Sequence, residues 1–110
     1  MANRFPSQDG HNWVAGDWSV LDDNAKDQAE PTAGDSGQFT VNSGNATLTQ
    51  NTDTFDSLNM VSYNNTLAMA TFDILSSGQV DLSGTLTGDV GAVVSCGGTL
   101  TVDGATSFDT

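Results

Sequence analysis

Gly78-Gln79-Val80-Asp81-Leu82-Ser83-Gly84 and Gly98-Thr99-Leu100-Thr101-Val102-Asp103-Gly104 lie 20 residues apart and share one pattern. Each has a glycine at both ends and two apolar residues separated by one polar residue. Alternation with period two puts Val80 and Leu82 on one face of a short strand and Asp81 on the other. Working back along the chain, Phe39 with Val41 and Leu58 with Met60 precede these pairs, so the four pairs fall at intervals of 19, 22 and 20. A second series keeps step: Leu48, Leu67, Leu86 and Thr106, spaced by 19, 19 and 20. A third is Phe55, Ile74 and Val93 or Val94. Three series in register predict three short strands per coil, and a period of this size marks a solenoid whose coils bury their apolar residues against one another. The expected fold is all-β: a short parallel β-solenoid of about 3 to 4 coils over residues 39–110. A jelly-roll β-sandwich is the alternative, because Thr- and Gly-rich sequences match themselves readily. In the solenoid register Leu67 stacks between Leu48 and Leu86.

Turn residues sit where such a chain needs corners. Asn42-Ser43-Gly44, Asn51, Asn64-Asn65, Ser77-Gly78, Gly84, Gly88, Gly91, Gly97-Gly98 and Gly104 separate the strands. Gly and Asn tolerate positive φ, which tight corners favour.

Composition agrees with a β-rich single domain. The chain has 110 residues, 36% hydrophobic, with 12 Gly, 2 Pro and no stretch suited to a long helix. Net charge is −12, and Arg4 and Lys26 are the only cationic side chains. Such a surface repels phosphate, so nucleic acid is excluded as a partner, and anionic membranes are disfavoured. No apolar run approaches the roughly 18 residues of a membrane-spanning helix. Cys96 and His11 are each single, which leaves no internal disulfide and no histidine metal set. The first ten residues lack the apolar centre of a secretory signal, so the expectation is a chain that begins in a cytoplasm or a processed piece.

Before the repeat, residues 1–12 are polar and aperiodic and read as an N-terminal arm, with Phe5 as an apolar anchor and Arg4 as its charge. Residues 13–38 read as a cap followed by an acidic loop. Trp13 and Trp18, with Val14, Val20 and Leu21, supply the area needed to cover the open end of a first coil. An alternative use of Trp13 and Trp18 is a glycan platform, since flat rings stack on sugar faces. The carboxylates of Asp22, Asp23, Asp27, Glu30 and Asp35 do not follow the alternating ligand pattern of a calcium loop, so they read as a solvated loop and no metal or cofactor is expected.

Catalysis is not expected. The only imidazole, His11, falls on the arm, which leaves Cys96 and the serines without a base. A glycanase would need two acids at a fixed separation. Asp81 stands alone mid-strand, with Asn59 and Thr101 in the flanking coils. Thr47-Leu48-Thr49, Thr66-Leu67-Ala68 and Thr85-Leu86-Thr87 set threonines on one outer face, an array similar to some ice-binding solenoids. Thr also simply suits exposed strands, and Ala68 interrupts the array.

Trp13, Gly16-Asp17-Trp18 and Pro31-Thr-Ala-Gly-Asp-Ser-Gly-Gln-Phe39 resemble the opening of β-solenoid segments in phage structural proteins and autotransporter-type passenger proteins. There a Trp-containing cap leads through Pro-x-x-Gly-Asp into the first inward aromatic. The resemblance implies architecture first, and a function as stalk, adhesin or virion part. Without a signal peptide the phage reading is preferred. The expected function is therefore a non-enzymatic structural and assembly protein, a capsid decoration, cement or fibre component of a virion assembled in the host cytoplasm. Glycan-binding modules and adhesin stalks, extracellular or on the cell surface, are the alternative. Its expected partners are copies of itself, as a homo-oligomer, or a major capsid or other virion protein. Arg4, Phe5, Leu100, Val102 and Phe108 are the expected interface, because no Lys, Pro or covering segment follows Gly98 to shield a last coil.

Overall fold

The computed structural model describes residues 2–9, 11–13, 16, 18–103 and 106–108, with the side chains of 2, 11, 12 and 106–108 left out. Its strands are β1 (Ala2–Pro6), β2 (His11–Asn12), β3 (Trp18–Ser19), β4 (Asp35–Thr40), β5 (Ala46–Thr47), β6 (Ser57–Val61), β7 (Thr66–Ala68), β8 (Ile74–Ser76), β9 (Val80–Leu82), β10 (Thr85–Gly88), β11 (Val94–Cys96), β12 (Leu100–Val102) and β13 (Thr106–Phe108). They form three sheets, ordered β12-β9-β6-β4-β1-β3, β13-β10-β7-β5-β2 and β11-β8. The chain visits the sheets in turn and returns one strand higher each time, giving a parallel β-solenoid of about three turns. Every strand pair except β1 with β3 is parallel, which rules out the antiparallel jelly roll.

Inward residues stack in columns. Leu58, Val80 and Leu100 share one register line. Phe39 faces Met60, and Leu82 faces Val102. On the second side Ala46, Leu67, Leu86 and Thr106 are in line, and on the third Ile74 pairs with Val94 and Phe55 bridges to Ser76. Three of the expected stackings are therefore shifted by two residues. Phe39 lies under Met60 instead of Leu58, Leu67 lies between Ala46 and Leu86 instead of Leu48 and Leu86, and Phe55 lies under Ser76 instead of Ile74. A two-residue slip preserves strand parity, so the inward set stays inward while its partners change. Val41 is the exception: it falls beyond the end of β4 and is exposed.

The N-terminal arm also differs. β1 pairs in parallel with β4 through Ala2–Asp35, Asn3–Ser36 and Arg4–Gly37, and β2 pairs with β5. Residues expected as an arm thus build a turn of the solenoid, whose main-chain groups gain ladder partners. The cap is inserted within this turn. β3 pairs antiparallel along the other side of β1, through Phe5–Ser19 and Pro6–Trp18, and closes that edge of the sheet.

Trp13 continues the β2 ladder, its backbone N–H donating to the Thr47 carbonyl at 2.9 Å. Its ring meets Trp18 edge-on with centroids 4.8 Å apart, and lies 5.9 Å from Phe39 and 5.7 Å from Phe55. Tyr63 joins the cluster from the next turn, 5.1 Å from Phe39, and donates its hydroxyl hydrogen to the Gly44 carbonyl at 2.8 Å.

Side chains also stitch the corners together. Thr66 N–H donates to Asn45 Oδ1 and Asp73 N–H to Asn51 Oδ1, both at 2.9 Å. Leu75 N–H reaches Thr52 Oγ1 at 2.9 Å, and Val93 N–H reaches Asp73 Oδ1 at 3.1 Å. Asn45 and Asn51 therefore serve as acceptors for the next turn, and neither takes up positive φ. Close approach explains Gly84 in a similar way, since a Cβ there would meet the Tyr63 ring and lie 2.8 Å from its carbonyl oxygen.

Candidate functional site

The expected interface residues occupy opposite ends of the stack. Arg4 and Phe5 belong to β1, while Leu100 and Val102 belong to β12, with β4, β6 and β9 between. At about 4.8 Å per strand step the two groups are roughly 19 Å apart. Arg4 faces Gly37 in the register, is half-buried, and donates from Nη1 to the Asn3 carbonyl at 3.2 Å. Phe5 is half-buried across from Ser19. Neither is held out on a free arm. Leu100 and Val102 do lie together, 48% and 46% exposed, in the inward columns of the last turn of the first sheet. In the two preceding turns the same columns are buried as Val80 and Leu82, and Leu58 and Met60. Phe108 pairs through its backbone with Gly88, and its side chain lies outside the described set.

Trp13 and Trp18 are buried, so neither offers a ring face to a sugar. The glycan platform is corrected on that ground: stacking on a pyranose requires an open face, and these rings are spent on Phe39, Phe55 and each other. Val14, read with them in the cap, lies outside the described residues.

Asp81 has Asn59 and Thr101 as register neighbours, so no carboxylate lies beside it in its column. Gln79 Nε2 donates to Asn59 Oδ1 at 2.8 Å and to Asp81 Oδ2 at 3.2 Å, forming a polar ladder along the outer face. On the second sheet the outward threonines are staggered. Thr66 pairs with Thr85, but Thr47 pairs with Ala68 and Ala68 with Thr87, so the array is broken at its centre. Cys96 is half-buried in register with Ser76. Among the described residues no three His, Cys, Asp or Glu side chains gather into a metal-binding group, and no pocket opens in the surface.

A feature missed by sequence reasoning lies at the corner after β4. Asp22 Oδ2 accepts hydrogen bonds from Thr40 Oγ1 at 2.6 Å and Asn42 Nδ2 at 3.0 Å, which pins the cap loop beside that corner. From the other side, Gln8 Nε2 donates to the Asp22 carbonyl. The loop continues through Asn24, whose Oδ1 accepts from Gln8 N–H at 2.8 Å and whose Nδ2 donates to Asp9. The hydrogen bond from Asn24, then the hydrogen bond and charge of Lys26 at 3.0 Å, hold the Asp9 carboxyl below the usual carboxylate range. Asp22 and Asn24, in the stretch expected as a solvated acidic loop, thus form a hydrogen-bonded brace, while Asp23 and Asp27 are exposed. The signal for it was the short polar set Asp22, Asn24 and Asn42, each able to bridge two backbone segments.

Comparison with family models, with curated proteins and with solved structures finds no match.

Proposed function

We propose that this chain is a non-enzymatic structural and assembly protein, a component of a phage particle, that works by adding strands to its own stack of coils. The observation that supports this reading is the difference between successive turns. Columns that are closed at Leu58, Met60, Val80 and Leu82 stand half-open at Leu100 and Val102, on a strand, β12, that has β9 on one side and no partner among the described residues on the other. Such an edge templates a further strand through main-chain hydrogen bonds, and its alternating apolar residues provide side-chain sites for that strand. Burying two aliphatic side chains of this exposure adds roughly 1 to 3 kcal/mol to an association that ladder bonding orients. The phage setting rests on the resemblance of the Trp-containing cap and Pro31-to-Phe39 lead-in to virion solenoid segments.

Sedimentation of the purified 11.4 kDa chain tests the assembly reading. An oligomer that dissociates in Leu100→Lys and Val102→Lys supports it. A monomer across micromolar concentrations, unchanged by either substitution, overturns it. Co-sedimentation with intact phage particles, lost in the same variants, tests the setting.

A further inference from the structure

We propose that the corner formed by Leu21, Val41 and Val61 is a lateral docking surface for a cationic, apolar segment of another protein, separate from strand addition at β12. Leu21 is 65% exposed, Val61 62% and Val41 55%, with Val20 adding a fourth apolar residue at 48%. Isolated exposed aliphatics are ordinary, but Leu21, Val41 and Val61 come from three parts of the chain brought to one corner. Thr40 pairs with Val61 across β4 and β6, so Val41 follows directly beside it. The Asp22 carboxylate, bonded to Thr40 and Asn42, places Leu21 against the same corner. The brace through Gln8, Asn24 and Asp9 fixes the loop from below, so the surface is formed before any partner arrives.

Charge selects the occupant. The chain carries −12, its one cation in this loop, Lys26, is engaged by Asp9, and no Lys or Arg follows it in the sequence. A second copy docking by the same corner would set its own Asp22 and Asp23 against these two carboxylates. A segment with apolar residues for the corner and Lys or Arg around them gains attraction instead, in encounter rate and in specificity.

Three labelled peptides titrated onto the full chain test this: alternating Leu and Lys, alternating Leu and Glu, and alternating Ser and Lys. The Leu-Lys peptide is expected to bind at least tenfold more tightly than either control, and to weaken as salt is raised. The double variant Leu21→Ser, Val61→Thr is expected to lose at least tenfold of that affinity. Val93→Thr, at an exposed valine elsewhere, is expected to change nothing. Val41→Lys replaces an apolar side chain of the corner with a cation that repels a Lys-bearing segment and pairs with Asp22 and Asp23, and gives the same loss as the double variant. Unchanged emission from buried Trp13 and Trp18 verifies that each variant is folded. Equal binding of the Ser-Lys peptide, or full binding by the folded double variant, overturns the proposal. So does self-association of the unaltered chain that the double variant abolishes, because the occupant is then a second copy.

Discussion

Tyr63 offers a sharp test of the packing between turns, because it is the chain's only tyrosine and its phenol can be followed without interference from another. The ring is buried edge-on against Phe39, and its hydroxyl donates to the Gly44 carbonyl at 2.8 Å. Burial pushes this phenol well above its ordinary value of 10.0. The folded state therefore holds the proton more tightly than the unfolded state. The stability this confers is fully present below about pH 10 and falls as pH rises, by at most about 1.4 kcal/mol per pH unit. Tyr63→Phe removes the hydrogen bond and leaves the buried Gly44 carbonyl short of a partner, at a cost of about 1 kcal/mol at neutral pH. It also removes the alkaline dependence. The two stability curves should thus cross about one pH unit above the ordinary phenol value, beyond which the phenylalanine variant is the more stable. Urea melts followed by tryptophan emission at a series of pH values measure both curves, while phenolate absorbance reports ionisation. Phenolate forming near pH 10 in a protein that remains folded would refute the buried hydrogen bond, as would an unchanged alkaline slope in Tyr63→Phe.

Leu67 is enclosed between Ala46 and Leu86, so Leu67→Ala is expected to cost about 2 to 5 kcal/mol and Leu67→Asp to prevent folding, whereas outward Asn59→Asp should cost under about 1 kcal/mol in a denaturant melt. Two glycines should fail for different reasons. Gly84→Ala forces a Cβ onto the Tyr63 ring and carbonyl and should cost about 1 to 3 kcal/mol or more, with a visible change in near-ultraviolet circular dichroism. Gly91→Ala meets no neighbour but has φ of +94°, so it should cost about 1 to 2 kcal/mol with that spectrum unchanged.

The solenoid was legible because inward apolar residues recur near every twentieth position and strand parity survives small errors of spacing. The exact stacking was not, because turns differ in length: Phe39 to Met60 is 21 residues, Leu58 to Val80 is 22, and Val80 to Leu100 is 20. Nothing in a Thr-rich sequence marks where the extra residues are absorbed. The first turn was hidden altogether, since Arg4 and its partner Gly37 stand 33 residues apart with the cap inserted between them. Leu100 and Val102 were legible from their alternation as residues of the inward columns. Leu21, Val41 and Val61 were not legible as a surface, since Leu21 read as part of a cap and Val41 as core. Their exposure depends on where β4 ends and on the Asp22 brace, both set by contacts between distant residues.

Placing the cap inside the first turn has a consequence for the order in which the protein takes shape during synthesis. β1 leaves the ribosome before its neighbours on either side, β3 and β4, and the last of its partners to appear is Gly37. The N-terminal strand must wait unpaired while the loop that returns to it is completed, and closing that loop costs entropy before any ladder bond is gained. Later turns differ, because each new strand finds its template already in place about twenty residues behind. Growth is therefore slow to start and quick to continue, with the Trp13, Trp18 and Phe39 cluster as the point of commitment.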